Sequence, residues 1–352
     1  MTAVSLPRIS ELSLSGAKKY EFKFIGEGAA NAVFEDGSSA CPKQAPRHTG
    51  DVELQEYWET VVRPLFRPED LAQQILIKLG DASVISRLNN ALRKEEGNRR
   101  PDFRGSRIAL AEYGMLVEDM RPSMLQPPHI DSASFTHIPP PPGHPDDFTL
   151  EFKPKWLAQS PNAPASATRC RTCARKAHQR HTKQGKADNR AILCPLRFLA
   201  SAASRSSLSA ILDHLSVPNP PLTTRAPTPE QRARLAHWLQ TNTLLPRIRE
   251  IQLANDRGGP LTANAHDPQF ELAMTLRDCA CFVRIPADPS APVEAKLADM
   301  DRKNWAAKLG YWQAIERCLI EDGYYEEREN PRQETDCQLG ALKNGVIIGN
   351  GV

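Results

Sequence analysis

Six consecutive residues, Glu151-Phe152-Lys153-Pro154-Lys155-Trp156, constrain this chain more than any other segment. The apolar run Phe148 to Phe152 reads as a buried strand, and Pro154 then fixes its own φ and holds Lys153 towards extended geometry. Side chains alternate faces along an extended backbone. Lys153 and Lys155 are therefore expected on one face with Glu151, and Phe152 and Trp156 on the other. A face that presents two ammonium groups from a proline-stiffened segment suits an anion. Read alone, the same residues also describe a strand end with solvated lysines, because short motifs match by chance.

A chain of 352 residues can bury the core of one large domain or of two lobes. Its 45 basic and 42 acidic residues leave a net charge of +3, so no global field attracts polyanions and any anion site is a local cluster. Residues 167 to 190 form such a cluster. Arg169, Arg171, Arg175, Lys176, Arg180, Lys183, Lys186 and Arg190 face only Asp188 there. The run lacks aromatic residues to stack on bases, so nucleic acid is not the expected partner. No apolar run of 18 residues appears and Met1 to Tyr20 has no apolar signal core, which predicts an intracellular protein with no membrane partner. The eight cysteines are then expected to be reduced, with Cys41, Cys194, Cys279, Cys281 and Cys318 in the core or incidental.

Residues 20 to 34 alternate apolar and polar into Gly26-Glu27-Gly28 and then resume an apolar run, which predicts a hairpin with glycines at its tip. Such a tip lets backbone N–H groups approach a phosphate, and it also serves as an ordinary hairpin turn. Residues 51 to 96 carry a helical pattern that Pro64 and Pro68 interrupt and Leu71 to Leu79 resumes. The loop Arg99 to Gly105 holds three arginines around a proline. Tyr113 to Met120 reads as a strand ending in acids. Pro122 to Asp147 and Val217 to Pro229 are proline-rich linkers. An amphipathic helix pair follows over Glu230 to Asn255. Next come a strand headed by Arg277-Asp278, a second apolar segment running into Asp299-Met300-Asp301-Arg302-Lys303, and a helix over Trp305 to Ile320.

Taken in order, GEGAAN (26–31), RRPDFRG (99–105), LVEDM (116–120), EFKPKWL (151–157), CRTCARKAHQ (170–179), CPL (194–196), RDC (277–279) and DMDRK (299–303) resemble the inositol-pentakisphosphate 2-kinase family in its fungal form. The Glu-x-Lys-Pro-Lys pattern is the specific element. The resemblance implies an α+β, two-lobed inositol-phosphate kinase fold. Its N-lobe (20–118) would carry an antiparallel sheet with the glycine-rich hairpin, and its larger mixed α/β C-lobe would span 119–330. Residues 1–19 would form a flexible start and 331–352 a frayed tail.

It also implies transfer of the ATP γ-phosphate, with Mg²⁺, to the 2-hydroxyl of inositol 1,3,4,5,6-pentakisphosphate, giving the hexakisphosphate (phytate), by a monomer that the fungal family suggests is nuclear. By position, Lys153, Lys155, Lys176, Lys303, Tyr311 and Arg104 resemble the inositol-phosphate contacts. Glu118, Asp119 and Glu151 resemble the nucleoside contacts, and Gly26, Glu27, Gly28, Ala29, Ala30 and Asn31 the phosphate loop. Asp278 would take or orient the hydroxyl proton, and Asp299, assisted by Asp301, would hold Mg²⁺.

Two departures qualify that expectation. Kinases follow the glycine loop with a strand bearing a phosphate-binding cation. Here residues 35 to 50 offer only Lys43 and Arg47 as cations, and Pro42 and Pro46 oppose a central strand. If that strand is missing, a kinase fold that binds highly phosphorylated inositols without turnover is the alternative. A nucleic-acid-binding protein is the remoter one. Separately, Cys170-x-x-Cys173 with His178 and His181 has half of a zinc pattern, but the cysteines and histidines are too close in sequence for a finger. Zinc at Cys170 and Cys173 is not the favoured reading.

Overall fold

The computed structural model describes residues 22–27, 32–36, 41–44, 50–79, 82–118, 120, 144, 146–182, 193–200, 205–217, 226–264, 267–302, 305–326 and 337–340. The fold is mixed α+β and divides into two compact units: Met1–Thr149 with Pro220–Thr223, and Leu150–Asn219 with Thr224–Val352.

In the first unit, β1 (Phe22–Glu27) and β2 (Ala32–Asp36) pair antiparallel, with Phe24 opposite Phe34 and an irregular register between Phe24 and Gly26. β3 (Cys41–Gln44) follows, then α1 (Gly50–Tyr57), β4 (Gln74–Lys78), α2 (Ala82–Lys94) and β5 (Tyr113–Val117). The five strands form one antiparallel sheet in the order β1-β2-β3-β5-β4. Helix α2 buries Val84, Ile85, Leu88, Ala91 and Leu92, the i, i+1, i+4, i+7, i+8 stripe of an amphipathic helix, in a cluster with Phe22, Phe34 and Ile77.

Two expectations fail in this unit. The helical continuation expected over Leu71 to Leu79 is strand β4, because Ile75 and Ile77 are β-branched and the segment finds a full antiparallel partner in β5. The third strand, which Pro42 and Pro46 opposed, is also present. β2 pairs with Lys43 and Gln44, whereas Pro42 is opposite Leu116 of β5 alone. At Pro42 the ladder needs a partner on one side only, which a residue without an N–H tolerates.

The second sheet has the order β6-β7-β8, formed by Phe148–Phe152, Ala280–Ile285 and Glu294–Ala298, with β7 and β8 antiparallel. Around it in the second unit come α3 (Arg171–Thr182), α4 (Arg197–Ala200), α5 (Arg205–Leu215), α6 (Pro229–Thr241), α7 (Leu244–Asn255), α8 (Pro268–Leu276) and α9 (Trp305–Glu321). Helix starts follow local chemistry. Thr228 and Gln231 form a reciprocal capping box ahead of α6, and the Asp267 carboxylate accepts from the Gln269 and Phe270 N–H groups of α8. Both helices carry proline in their first turn, where no amide donor is needed.

Within the stretch expected to be a frayed tail, residues 337–340 are packed. Leu339 is buried with Cys170, Cys194, Leu319 and Tyr325. Among the described residues no helix is long and apolar enough to cross a membrane.

Candidate active site

β6 ends at Phe152, whose ring stacks on Phe198 at 4.6 Å between centroids. The chain then leaves extended geometry. Lys155 adopts φ +60°, a left-handed conformation that an L-lysine takes up only when its surroundings impose it. Simple alternation therefore does not bring the two lysines together; the turn at Lys155 does. Lys153 Nζ donates to the Asp299 carboxylate at 2.7 Å, to the Asp278 carbonyl at 2.8 Å and to the Asp278 carboxylate at 3.4 Å. Lys155 Nζ donates to the same Asp278 oxygen at 2.9 Å.

Asp278 lies in the turn between α8 and β7, and Asp299 directly follows β8. Asp299 is at φ +56°, and it and Lys155 are the non-glycine residues with positive φ among those described. Two strained positions in one four-residue cluster mark it as a place where geometry has been set at a cost of about 1–3 kcal/mol each. The four side chains are partly exposed, between 33% and 45%. Burial opposes the Lys153 ammonium, but the hydrogen bond and charge of Asp299, followed by Asp278, outweigh it and raise its pKa above the ordinary lysine value. Lys153 is a fixed cation at neutral pH.

A buried layer below imposes this geometry. The Gln252 amide of α7 is fully buried; it donates to the Lys155 carbonyl at 2.9 Å and to the Leu276 carbonyl at 3.4 Å, and accepts from the Leu157 N–H at 3.0 Å. One side chain thus ties the lysine turn to the segment that presents Asp278. The Trp156 ring carries the Arg277 guanidinium at 3.4 Å and that of Arg171 at 4.2 Å. Each arginine is paired in the interior, Arg277 with Asp256 at 2.6 Å and Arg171 with Glu316 at 2.8 Å. Burial pulls the Arg277 pKa down to about 10, against the opposing pull of Asp256.

The remaining expected residues are placed as follows. Tyr311 on α9 accepts from Arg175 of α3 at 2.8 Å, and Lys176, the next residue of α3, is exposed. Asp301 is partly buried two residues after Asp299, and its neighbour Arg302 pairs with buried Glu271 at 2.6 Å. Glu151 is partly buried on β6. In the first unit, Arg104 donates to the carbonyls of Arg99 (3.1 Å) and Gly97 (2.9 Å), and Glu118 accepts from the Gln73 N–H at 3.0 Å. Gly26 and Glu27 end β1. Gly28, Ala29, Ala30, Asn31, Asp119 and Lys303 lie outside the described residues.

Among the described residues of the basic run, Arg169 and Arg171 are interior and Lys176 is exposed. His178 and His181, weighed above as partners of Cys170 and Cys173, instead meet Arg175 at 2.6 Å and the Tyr324 hydroxyl at 2.5 Å.

The model of the family described as inositol-pentakisphosphate 2-kinase matches residues 24–318, a span that contains every residue of this cluster and its support. The chain belongs to the inositol-pentakisphosphate 2-kinase family. It is similar to the inositol-pentakisphosphate 2-kinase of Yarrowia lipolytica, at 34% identity over 184 residues, covering 52% of this chain and 55% of that protein. It is also similar to the inositol-pentakisphosphate 2-kinase of Eremothecium gossypii, at 31% over 172 residues, covering 48% and 53%. The chain spans about half the length of the curated relatives it matches.

For this member of the family the sequence did not single out Gln252 or Asp256, and it gave Arg175 only as one cation of the basic run. Gln252 had a signal: it interrupts the apolar stripe of α7, where Leu245, Ile248 and Ile251 are buried. A glutamine in such a stripe needs buried partners.

Proposed function

We propose that this protein transfers the γ-phosphate of ATP to the 2-hydroxyl of inositol 1,3,4,5,6-pentakisphosphate, forming the hexakisphosphate. The observation that carries the reading is the convergence of Lys153 and Lys155 on Asp278 and Asp299. Two cations and two anions neutralise one another there. A phosphate competes for the ammonium groups, and each lysine that turns to it leaves a carboxylate oxygen open for a hydroxyl or a cation.

In this reading Lys153 and Lys155 hold substrate phosphates, with Lys176, Lys303, Tyr311 and Arg104 as further contacts. Asp278 accepts the proton of the 2-hydroxyl, which raises that oxygen's nucleophilicity as it forms its bond to phosphorus. Asp299 and Asp301 offer the hard oxygen donors that suit Mg²⁺. Bound there, the cation would offset the charge of the phosphate oxygens. Residues 26 to 31 would cover the nucleotide phosphates, Glu118, Asp119 and Glu151 would contact the nucleoside, and Lys43, a residue of β3, would supply the phosphate-binding cation of that strand. The pairing of β3 with β2 and β5 supports this reading over that of a binding-only protein.

The test incubates the pure protein with ATP, Mg²⁺ and inositol pentakisphosphate and follows the hexakisphosphate by ion chromatography. Product formation is expected. Tight pentakisphosphate binding without turnover overturns the kinase reading.

A further inference from the structure

Outside this site, four cysteines from three distant parts of the second unit meet at one point. Cys170 precedes α3, Cys173 lies in its first turn, Cys194 precedes α4, and Cys337 belongs to the packed segment 337–340. Their sulfurs all lie within 4.8 Å of one another. The Cys170–Cys194 separation is 3.8 Å and the Cys194–Cys337 separation 3.9 Å, and the thiols are free.

Those distances discriminate between chemistries. A disulfide needs its sulfurs at about 2.05 Å. Four thiolates at about 2.3 Å from one tetrahedral Zn²⁺ stand about 3.8 Å apart. Cys170, Cys173 and Cys194 are fully buried, and unbridged thiols gain nothing from such crowding. The backbone also supplies what thiolates need. The Cys170 N–H donates to Cys337 Sγ at 3.1 Å and the Gln338 N–H to Cys194 Sγ at 3.5 Å, which offsets sulfur charge as outer partners of metal ligands do.

We infer that Cys170, Cys173, Cys194 and Cys337 form a closed four-thiolate site for a structural zinc ion. Binding releases the thiol protons and converts four sulfurs and one dication into a tetrahedral centre with no position left open for substrate. The centre fixes the start of α3, which carries Arg175 and Lys176, and clamps residue 337 against the core formed with Leu319, Tyr325 and Leu339. It stands independently of the kinase reading.

The experiment uses the full chain purified without chelator. Elemental analysis is expected to find about one zinc per chain, lost on acidification or with a strong chelator as the thiolates are reprotonated or outcompeted. Refilling the stripped protein with Co²⁺ should give the intense absorption of tetrahedral thiolate coordination. Cys194→Ser should abolish that band and the bound zinc, whereas Cys318→Ser, outside the cluster, should keep both. If Cys194→Ser does not fold, the metal content and cobalt spectrum of the unsubstituted chain decide the matter. Protein that is folded but zinc-free and gives no cobalt–thiolate band overturns the inference, as does mass spectrometry showing Cys170 and Cys194 joined as a disulfide.

Discussion

Asp299 sits in the left-handed region, which asparagine tolerates as readily as aspartate, so Asp299→Asn changes charge without changing the backbone preference. That variant should lose turnover by at least about 100-fold while pentakisphosphate binding, measured by calorimetry, is retained. Lys153→Ala with Lys155→Ala should do the reverse. Each lost charge-assisted contact costs about 1.5–3 kcal/mol, so the affinity should fall by at least about 100-fold, and the residual binding should depend less on salt. Equal effects of both substitutions on affinity would contradict this division of roles. Lys153 also ties stability to pH. Its folded pKa is raised, so its contribution is complete below the ordinary lysine range and disappears as pH rises through the higher folded value. The stability gap between the parent chain and Lys153→Met, read from urea midpoints, should therefore stay constant from neutral pH to the start of lysine titration and close at higher pH.

At the level of elements, the lysine turn is held in place from below by α7. Gln252→Leu would leave the Lys155 carbonyl and the Leu157 N–H without their buried partner, at about 1–3 kcal/mol each. The turn at Lys155 would then lose what enforces its positive φ. The expected outcome is a lowered kcat with the fold preserved in far-UV circular dichroism; unchanged kinetics would show that the lysine turn does not need this amide. The legible parts of the site are those carried by contiguous residues: the KPK segment, the acid heading β7 and the acid following β8. The amide that joins them was hidden, because it comes from a helix about 100 residues away and shows only as a polar residue in an apolar stripe.

On the scale of the molecule, the second unit sets two interior ion pairs, Arg277–Asp256 and Arg171–Glu316, into its apolar core. Asp256→Ala would strand the Arg277 guanidinium in the core against Trp156, at about 3–5 kcal/mol. Calorimetry should then show a melting temperature lower by about 10 °C. A loss of only a degree or two would mean that the ring alone supports the arginine. Both sheets were legible only in outline. Strand β4 was read as helix because its apolar spacing over nine residues fits either period, and β5 decides between them.

By itself the sequence determined the chemistry available: two lysines stiffened by a proline, acids at strand ends, a Gly-Glu-Gly step and a Cys-x-x-Cys step, all of them local patterns whose meaning lies in residue type and short spacing. The tertiary structure alone decided which of these meet. Alternation along a strand would have aligned the lysines, yet a left-handed turn held by Gln252 aims them at acids more than 120 residues away. The cysteines, in turn, find one another across 167 residues rather than the histidines beside them. Contacts between distant segments depend on how buried side chains pack, and no local pattern encodes that.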